Sequence, residues 1–274
     1  MSSARARSIR LSSTGHLAAV RPDELGQGWV LDIAGVEQSH VDPADPGHIR
    51  HEYLRRIATA LDAFRPVHLP VRILHLGAGA LTLPRYLRAT RPGSEQVVVE
   101  VERELPTLVL QALPLPTGTR LEVRIGDARE EVAASQGRHE PPFDAIVLDI
   151  FTGEESPPQL ACREFYAETL DRLSADGLLI VNVGDEAGLA FFARQARALE
   201  EATAAARLPG PCTLTDASLI DLRREGNLVL LAGGALFADG LERMLAACRE
   251  AGPHPATVLD PDGTAALAAR ALRS

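Results

Sequence analysis

Between residues 71 and 183, apolar runs alternate with stretches of helical spacing, and this alternation restricts the chain more than any other feature. Residues 71–76, 96–101, 121–125, 143–150 and 177–183 read as strands, with a late strand at 227–232. Helical periodicity follows the first strand through Thr90 and returns at 102–113, 128–134, 164–173 and 189–208. Strands that alternate with helices predict an α/β fold, a Rossmann-like parallel sheet with helices on both faces. An amphipathic helix at 48–64, with Ile49, Tyr53, Ile57, Leu61 and Phe64 on one face, precedes the sheet and stops before Pro66. Upstream, Trp29–Ile33 and residues 36–38 lie between glycines and read as short strands. The expected organisation is a β-rich region at 1–47, a Rossmann-like catalytic domain at 48–234 and a helical extension at 235–274.

Composition narrows the partners. A net charge of −9, with 37 acidic residues against 28 basic ones, argues against a nucleic-acid backbone as partner, and 4% aromatic residues are too few for a base-stacking surface. No apolar run reaches the roughly 20 residues of a membrane span. Cys162, Cys212 and Cys248 are far apart and form no metal spacing, which fits reduced thiols, a cytoplasmic location and no bound metal.

The chemistry concentrates at strand ends. Leu74-His75-Leu76-Gly77-Ala78-Gly79-Ala80 is a strand running through Gly-x-Gly into a helix, where backbone can approach a ligand closely. It lacks the third glycine of a dinucleotide loop, because position 82 is Thr. Glu100, at the end of the next strand, is placed to accept from both ribose hydroxyls. Gly126-Asp127-Ala128 follows the third strand, where an acid can accept from an adenine amino group. The strand from Phe143-Asp144 ends at Asp149, at the sheet edge where open α/β folds bind ligands. Four such features in order describe an adenosine site of the S-adenosylmethionine type rather than an NAD site.

This order resembles the class I S-adenosylmethionine-dependent methyltransferase fold. Gly35-Val36-Glu37-Gln38, His51-Glu52 on a helix and Leu76 to Arg85 narrow the resemblance to the spermidine synthase (polyamine aminopropyltransferase) family, in its actinobacterial spermidine synthase-like branch. The resemblance implies transfer of an aminopropyl group from decarboxylated S-adenosylmethionine to a small-molecule amine acceptor. It gives Asp149 as general base and Gln38, Gly77, Gly79, Glu100, Asp127 and Ala128 as the donor site. His51, Glu52, Thr152 and Glu154 fall on the acceptor side. It also implies a homodimer joined through the N-terminal hairpins.

The sequence departs from the family where the diamine binds. The acid of the glycine loop is Ala80, the second acid after Asp149 is Thr152, and the tyrosine before His-Glu is Arg50. The later tyrosine has no counterpart in Arg223-Arg224-Glu225-Gly226-Asn227. Arg50 would repel a diamine if it faced the pocket, whereas Glu154, Glu155 or Asp185 could replace the lost acid. His75 reads as a hydrogen-bonded core histidine. A methyltransferase using intact S-adenosylmethionine and a non-catalytic nucleoside-binding homologue are the alternatives on the same sheet.

Overall fold

The structure is a computed structural model that describes residues 4–24, 26–152, 156–237 and 239–273, with the backbone alone for Phe151 and Thr152. The chain begins with a four-stranded antiparallel sheet: β1 (Arg7–Arg10), β2 (Leu17–Pro22), β3 (Trp29–Ile33) and β4 (Val36–Val41). The ladder between β3 and β4 shifts at Leu31/Asp32, which pair with Ser39 and Glu37 and leave Gln38 as an extra residue. Helix α1 (Glu52–Phe64) follows.

The main sheet then builds through β5 (Arg72–Leu76), α2 (Thr82–Thr90), β6 (Glu95–Glu100), α3 (Glu104–Ala112), β7 (Arg120–Ile125), α4 (Ala128–Gly137) and β8 (Phe143–Thr152). It continues through α5 (Arg163–Leu170), β9 (Leu173–Asp185), α6 (Ala190–Ala205), β10 (Cys212–Asp216) and β11 (Gly226–Ala232). Helix α7 (Asp239–Ala251), β12 (Ala256–Leu259) and α8 (Pro261–Ala271) complete the chain.

The eight strands lie in the order β12-β10-β11-β9-β8-β5-β6-β7. The five strands predicted at residues 71–183 are parallel to one another, as the alternation requires. The other three are antiparallel, so the sheet is mixed rather than wholly parallel. The tail beyond residue 235 supplies an edge strand to the main sheet as well as helices.

Each face of the sheet carries its own core. One packs α5, α6 and α8 through Phe165, Phe192 and Leu267. The other packs α1, α2 and α7 through Ile57, Leu87 and Leu245. A third apolar cluster joins Leu31 and Val41 of the N-terminal sheet to Ala80 and Leu81 of the glycine loop and to Leu105 and Val109 of α3. The N-terminal sheet therefore shares its core with the loop it covers.

Buried arginines brace the approach to the site. Arg91 donates to the carbonyls of Leu61, Arg65, Pro66 and Leu69, tying α2 to the end of α1. Arg85 donates to the carbonyls of Leu113 and Pro114 at 2.5 and 2.9 Å, and burial pushes its guanidinium down to about 10. A planar fork with five donors suits such carbonyl clusters better than an ammonium would.

Candidate active site

The strand order reverses between β5 and β8, because β5 leads to β6 on one side while β8 and β9 lie on the other. In open α/β sheets the crevice beyond such a reversal receives the ligand. Gly77 and Asp149 stand at its two lips. Gly77 has φ +105°, and a Cβ there would come 2.4 Å from the Asp149 carbonyl oxygen. Glycine is needed at 77 for both its backbone conformation and the lack of space.

Four of the loop amides are occupied by protein. Gly77 N–H donates to the Val99 carbonyl, Ala78 N–H to Glu100 Oε2 at 3.0 Å, Ala80 N–H to Ser39 Oγ at 3.3 Å and Leu81 N–H to the Ala78 carbonyl. Four amides committed in this way do not form an anion cradle, in contrast with a phosphate-binding loop. Ser39 also crowds Gly79, where a Cβ would lie 2.8 Å from its hydroxyl.

Glu100 is buried at the end of β6. One oxygen accepts from Ala78 N–H and the other from Glu102 N–H at 2.9 Å. Burial raises its carboxyl above the usual range, against the lowering effect of these amide bonds. Val101 N–H also hydrogen-bonds this carboxyl, which retains acceptor capacity beyond its amide bonds. The next residue, Val101, is 65% exposed. Asp127 caps α4 through Oδ1, which accepts from Arg129 N–H and Glu130 N–H, and Ala128 begins that helix.

Asp149 is the centre of the other half. Asn182 Nδ2 on β9 donates to its Oδ1 at 2.8 Å, and the Tyr53 hydroxyl on α1 hydrogen-bonds the same carboxyl. Burial pushes the Asp149 carboxyl up to about 6, opposed by those two bonds, which favour its charged form. Tyr53 is in turn driven well above the usual phenol range, first by burial and then by Asp149. Asn182 is 4% exposed, and its Oδ1 is buried with no partner among the described residues.

The remaining acceptor-side candidates are arranged differently. His51 Nε2 lies 3.4 Å from Glu37 on β4, and burial lowers its imidazole below the ordinary value despite that carboxylate. Glu52 is exposed and pairs along its own helix with Arg55 and Arg56. Arg50 is held by Asp23 at 2.7 Å and lies 3.7 Å from Glu37, so its charge is balanced by acids of the N-terminal segment. Gln38 is exposed, and its neighbour Ser39 makes the contact with the glycine loop. Asp185 accepts from Phe192 N–H at 2.7 Å and from Glu186 N–H, fastening the start of α6. Glu154, Glu155 and the Thr152 side chain lie outside the described residues. Asp144 sits at the opposite end of β8, accepting from Arg72 N–H and pairing with Arg65.

Sequence reasoning missed Tyr53, Asn182 and Ser39. Tyr53 reads as one member of the apolar repeat of α1. Asn182 did leave a signal, since it interrupts the run Leu178-Leu179-Ile180-Val181 of a doubly covered strand.

Comparison with known proteins bears out the resemblance. No family model matches the chain. A stretch of 141 residues is 33% identical to the polyamine aminopropyltransferase of Vibrio vulnificus (strain CMCP6), covering 52% of this chain and 46% of that protein. The matched region thus spans about half the length of the curated relative. A solved structure of a probable spermidine synthase from Corynebacterium glutamicum ATCC 13032 superposes with a TM-score of 0.80 at 25% identity, covering 97% of this chain and 94% of that one. A spermidine synthase in complex with the transition-state analogue AdoDATO has the same fold, with a TM-score of 0.58, 16% identity and coverage of 87% and 75%.

Proposed function

We propose that this chain, similar to polyamine aminopropyltransferases in sequence and to spermidine synthases in fold, transfers an aminopropyl group from decarboxylated S-adenosylmethionine to a small amine. One observation carries this reading: Asp149, whose backbone packs against Gly77 and which lines one pocket with the glycine loop, carries a buried carboxyl pushed up to about 6 and fixed by Tyr53 and Asn182. The donor site is the groove bounded by the loop, Glu100, Val101 and Asp127. Glu100 takes the ribose hydroxyls, Val101 packs on the adenine and the free oxygen of Asp127 receives the adenine amino group. The committed loop amides and the surrounding carboxylates favour a cationic sulfonium nucleoside over a phosphorylated one.

In the reaction the acceptor nitrogen attacks the carbon bonded to the sulfonium. The new C–N bond forms as the C–S bond breaks, and its electron pair returns to sulfur as a neutral thioether. The nitrogen's surplus proton passes to Asp149. The leaving group needs no acid, so one base suffices. A carboxyl held near 6 is ionised at neutral pH and still basic enough to accept a proton from an amine becoming acidic as it bonds to carbon. Asn182 Oδ1 offers a second acceptor beside Asp149 to orient the incoming nitrogen.

Calorimetric titration with decarboxylated S-adenosylmethionine, intact S-adenosylmethionine and methylthioadenosine tests the reading. Preference for the decarboxylated form and for methylthioadenosine is expected, followed by methylthioadenosine release when an amine is added. Preference for the intact form would replace aminopropyl transfer by methyl transfer. Binding without turnover of any amine would leave a nucleoside-binding homologue.

A further inference from the structure

The amino ends of the parallel strands, opposite the crevice, carry a second cavity of about 450 Å³. Arg65, just past the end of α1, fixes its place, because it pairs with Asp144 at the start of β8. Tyr53, which reaches Asp149, lies eleven residues before Phe64 on the same helix, roughly 16 Å away at 1.5 Å per residue. Phe64, Phe237 and Met244 line the cavity, with alanines and glycines of α1, α7 and the short turn Gly234–Leu236. That turn sets the position of Phe237. A Cβ at Gly234 would run into the Ala175 carbonyl, so the turn is pressed onto the start of β9. Leu236 enters the core at 1% exposed, and Phe237 is left 51% exposed. A ring on tightly packed backbone gains its burial on contact with an apolar ligand and has little left to order. Three charged side chains also line the cavity, and two of them balance each other. Arg65 pairs with Asp176 at 3.1 Å and with Asp144 at 2.8 Å, its guanidinium 4.9 Å from the centre of the Phe64 ring. Asp176 also accepts from the Ser174 hydroxyl at 3.2 Å. Arg243 differs. It shares one face of α7 with Met244 and Ala247, at spacings that bring residues three and four apart together. Its Nε donates to the Asp239 carbonyl of its own helix at 3.2 Å, and its two Nη groups have no acid partner among the described residues.

We propose that this cavity binds a small aromatic carboxylate, its ring packed on Phe237 and Met244 and its carboxylate held by Arg243. The planar guanidinium offers two parallel N–H donors to the two oxygens of one carboxylate. A neutral arene would leave both Nη groups to water. An organic cation would meet Arg243 with like charge, and Asp176 is already taken by Arg65 and Ser174. The volume falls within the range of pockets that enclose small molecules. The site shares no residue with the crevice, so the inference stands apart from the reaction assigned to Asp149.

The test uses the intact chain and follows the fluorine resonance of 4-fluorophenylacetate, with its neutral amide as the control. The acid is expected to bind roughly tenfold or more tightly than the amide, the scale of a charge-assisted hydrogen-bonded pair. Arg243→Gln should bring the acid down to the affinity of the amide and leave the amide unchanged. Phe237→Ser should weaken both, and methylthioadenosine should displace neither. Equal binding of acid and amide, or acid binding that survives Arg243→Gln, would overturn the site. Displacement of the acid by methylthioadenosine would move it to the crevice and overturn the site as well. Absence of binding at millimolar concentration would do the same, and a dimer that Phe237→Ser dissolves would then give the surface to a second copy of the chain. Both substitutions fall on exposed side chains, so the fold should survive them. Should either variant not fold, the acid and amide on the unaltered chain decide.

Discussion

The two halves of the crevice are built on opposite plans. On the donor half, Glu100 is fixed by backbone amides, and those amides belong to the loop it supports. On the acceptor half, Asp149 is fixed by side chains from two other elements, Tyr53 of α1 and Asn182 of β9. A carboxylate held by backbone is part of the fold, and its loss disturbs the loop. A carboxylate held by side chains can be tuned with little change in backbone. On the proposed reading the difference teaches where variation would be tolerated: nucleoside recognition would be tied to folding, whereas the base and its acceptor could change by single substitutions.

The largest effect that sharpens this contrast is at Asp149. Asp149→Asn should lower turnover by about 1000-fold or more, within the range for loss of a general base, while methylthioadenosine affinity stays within a few-fold. Single-turnover rates with calorimetry would check it, and equal loss of both would remove the base assignment. Next is Glu100→Ala, which should weaken methylthioadenosine binding by roughly 2 kcal/mol, the scale of a lost hydrogen bond to a charged group. It should also lower the melting temperature, because the Ala78 and Glu102 amides lose their partner. Loss of affinity with an unchanged melting temperature would break the link between recognition and folding.

The third effect is on pH. Asp149 acts as a base only when ionised, so kcat/KM should rise with pH through about 6. Tyr53→Phe removes a hydrogen bond that favours the carboxylate, so the carboxyl should become less acidic and the rising limb should move to higher pH. A limb that stays in place would detach Tyr53 from the base. The smallest effect belongs to Glu52. Its side chain is exposed and pairs only along α1, so Glu52→Ala should change stability by about 0.5 kcal/mol or less and leave kinetics unaltered. A tenfold rise in KM for the amine would return Glu52 to the acceptor site.

The parallel half of the sheet was legible in the sequence because its strands are apolar runs, or in β7 an apolar alternation, closed by an acid or a glycine. β10 and β12 were not. Cys212-Thr213-Leu214-Thr215-Asp216 alternates polar residues that pack against other elements, as Thr213 does with Thr264 of α8. β12 has only four residues and no fully buried side chain. β1 and β2 form an arginine-bearing edge hairpin in which only four residues, Leu17-Ala18-Ala19-Val20, form an apolar run. The site divided in the same way. Gly77, Glu100 and Asp127 each end or follow a strand and Asp149 lies near the end of β8, so sequence position predicts their location. Tyr53, Asn182 and Ser39 act by meeting residues 33 to 96 positions away in the chain, a relation no local pattern encodes.

The shifted register between β3 and β4 has a consequence for Gln38. Leu31 pairs with Ser39 and Asp32 with Glu37, so both flanks of the ladder are complete without Gln38. A chain shortened by that one residue would keep Ser39 opposite Leu31 and keep its hydroxyl at the glycine loop. Position 38 is therefore spare in the weave of the sheet, a place where one extra residue is accommodated at no cost in pairing. Its side chain is free to answer to a ligand, and a deletion there would ask about recognition without first asking about folding.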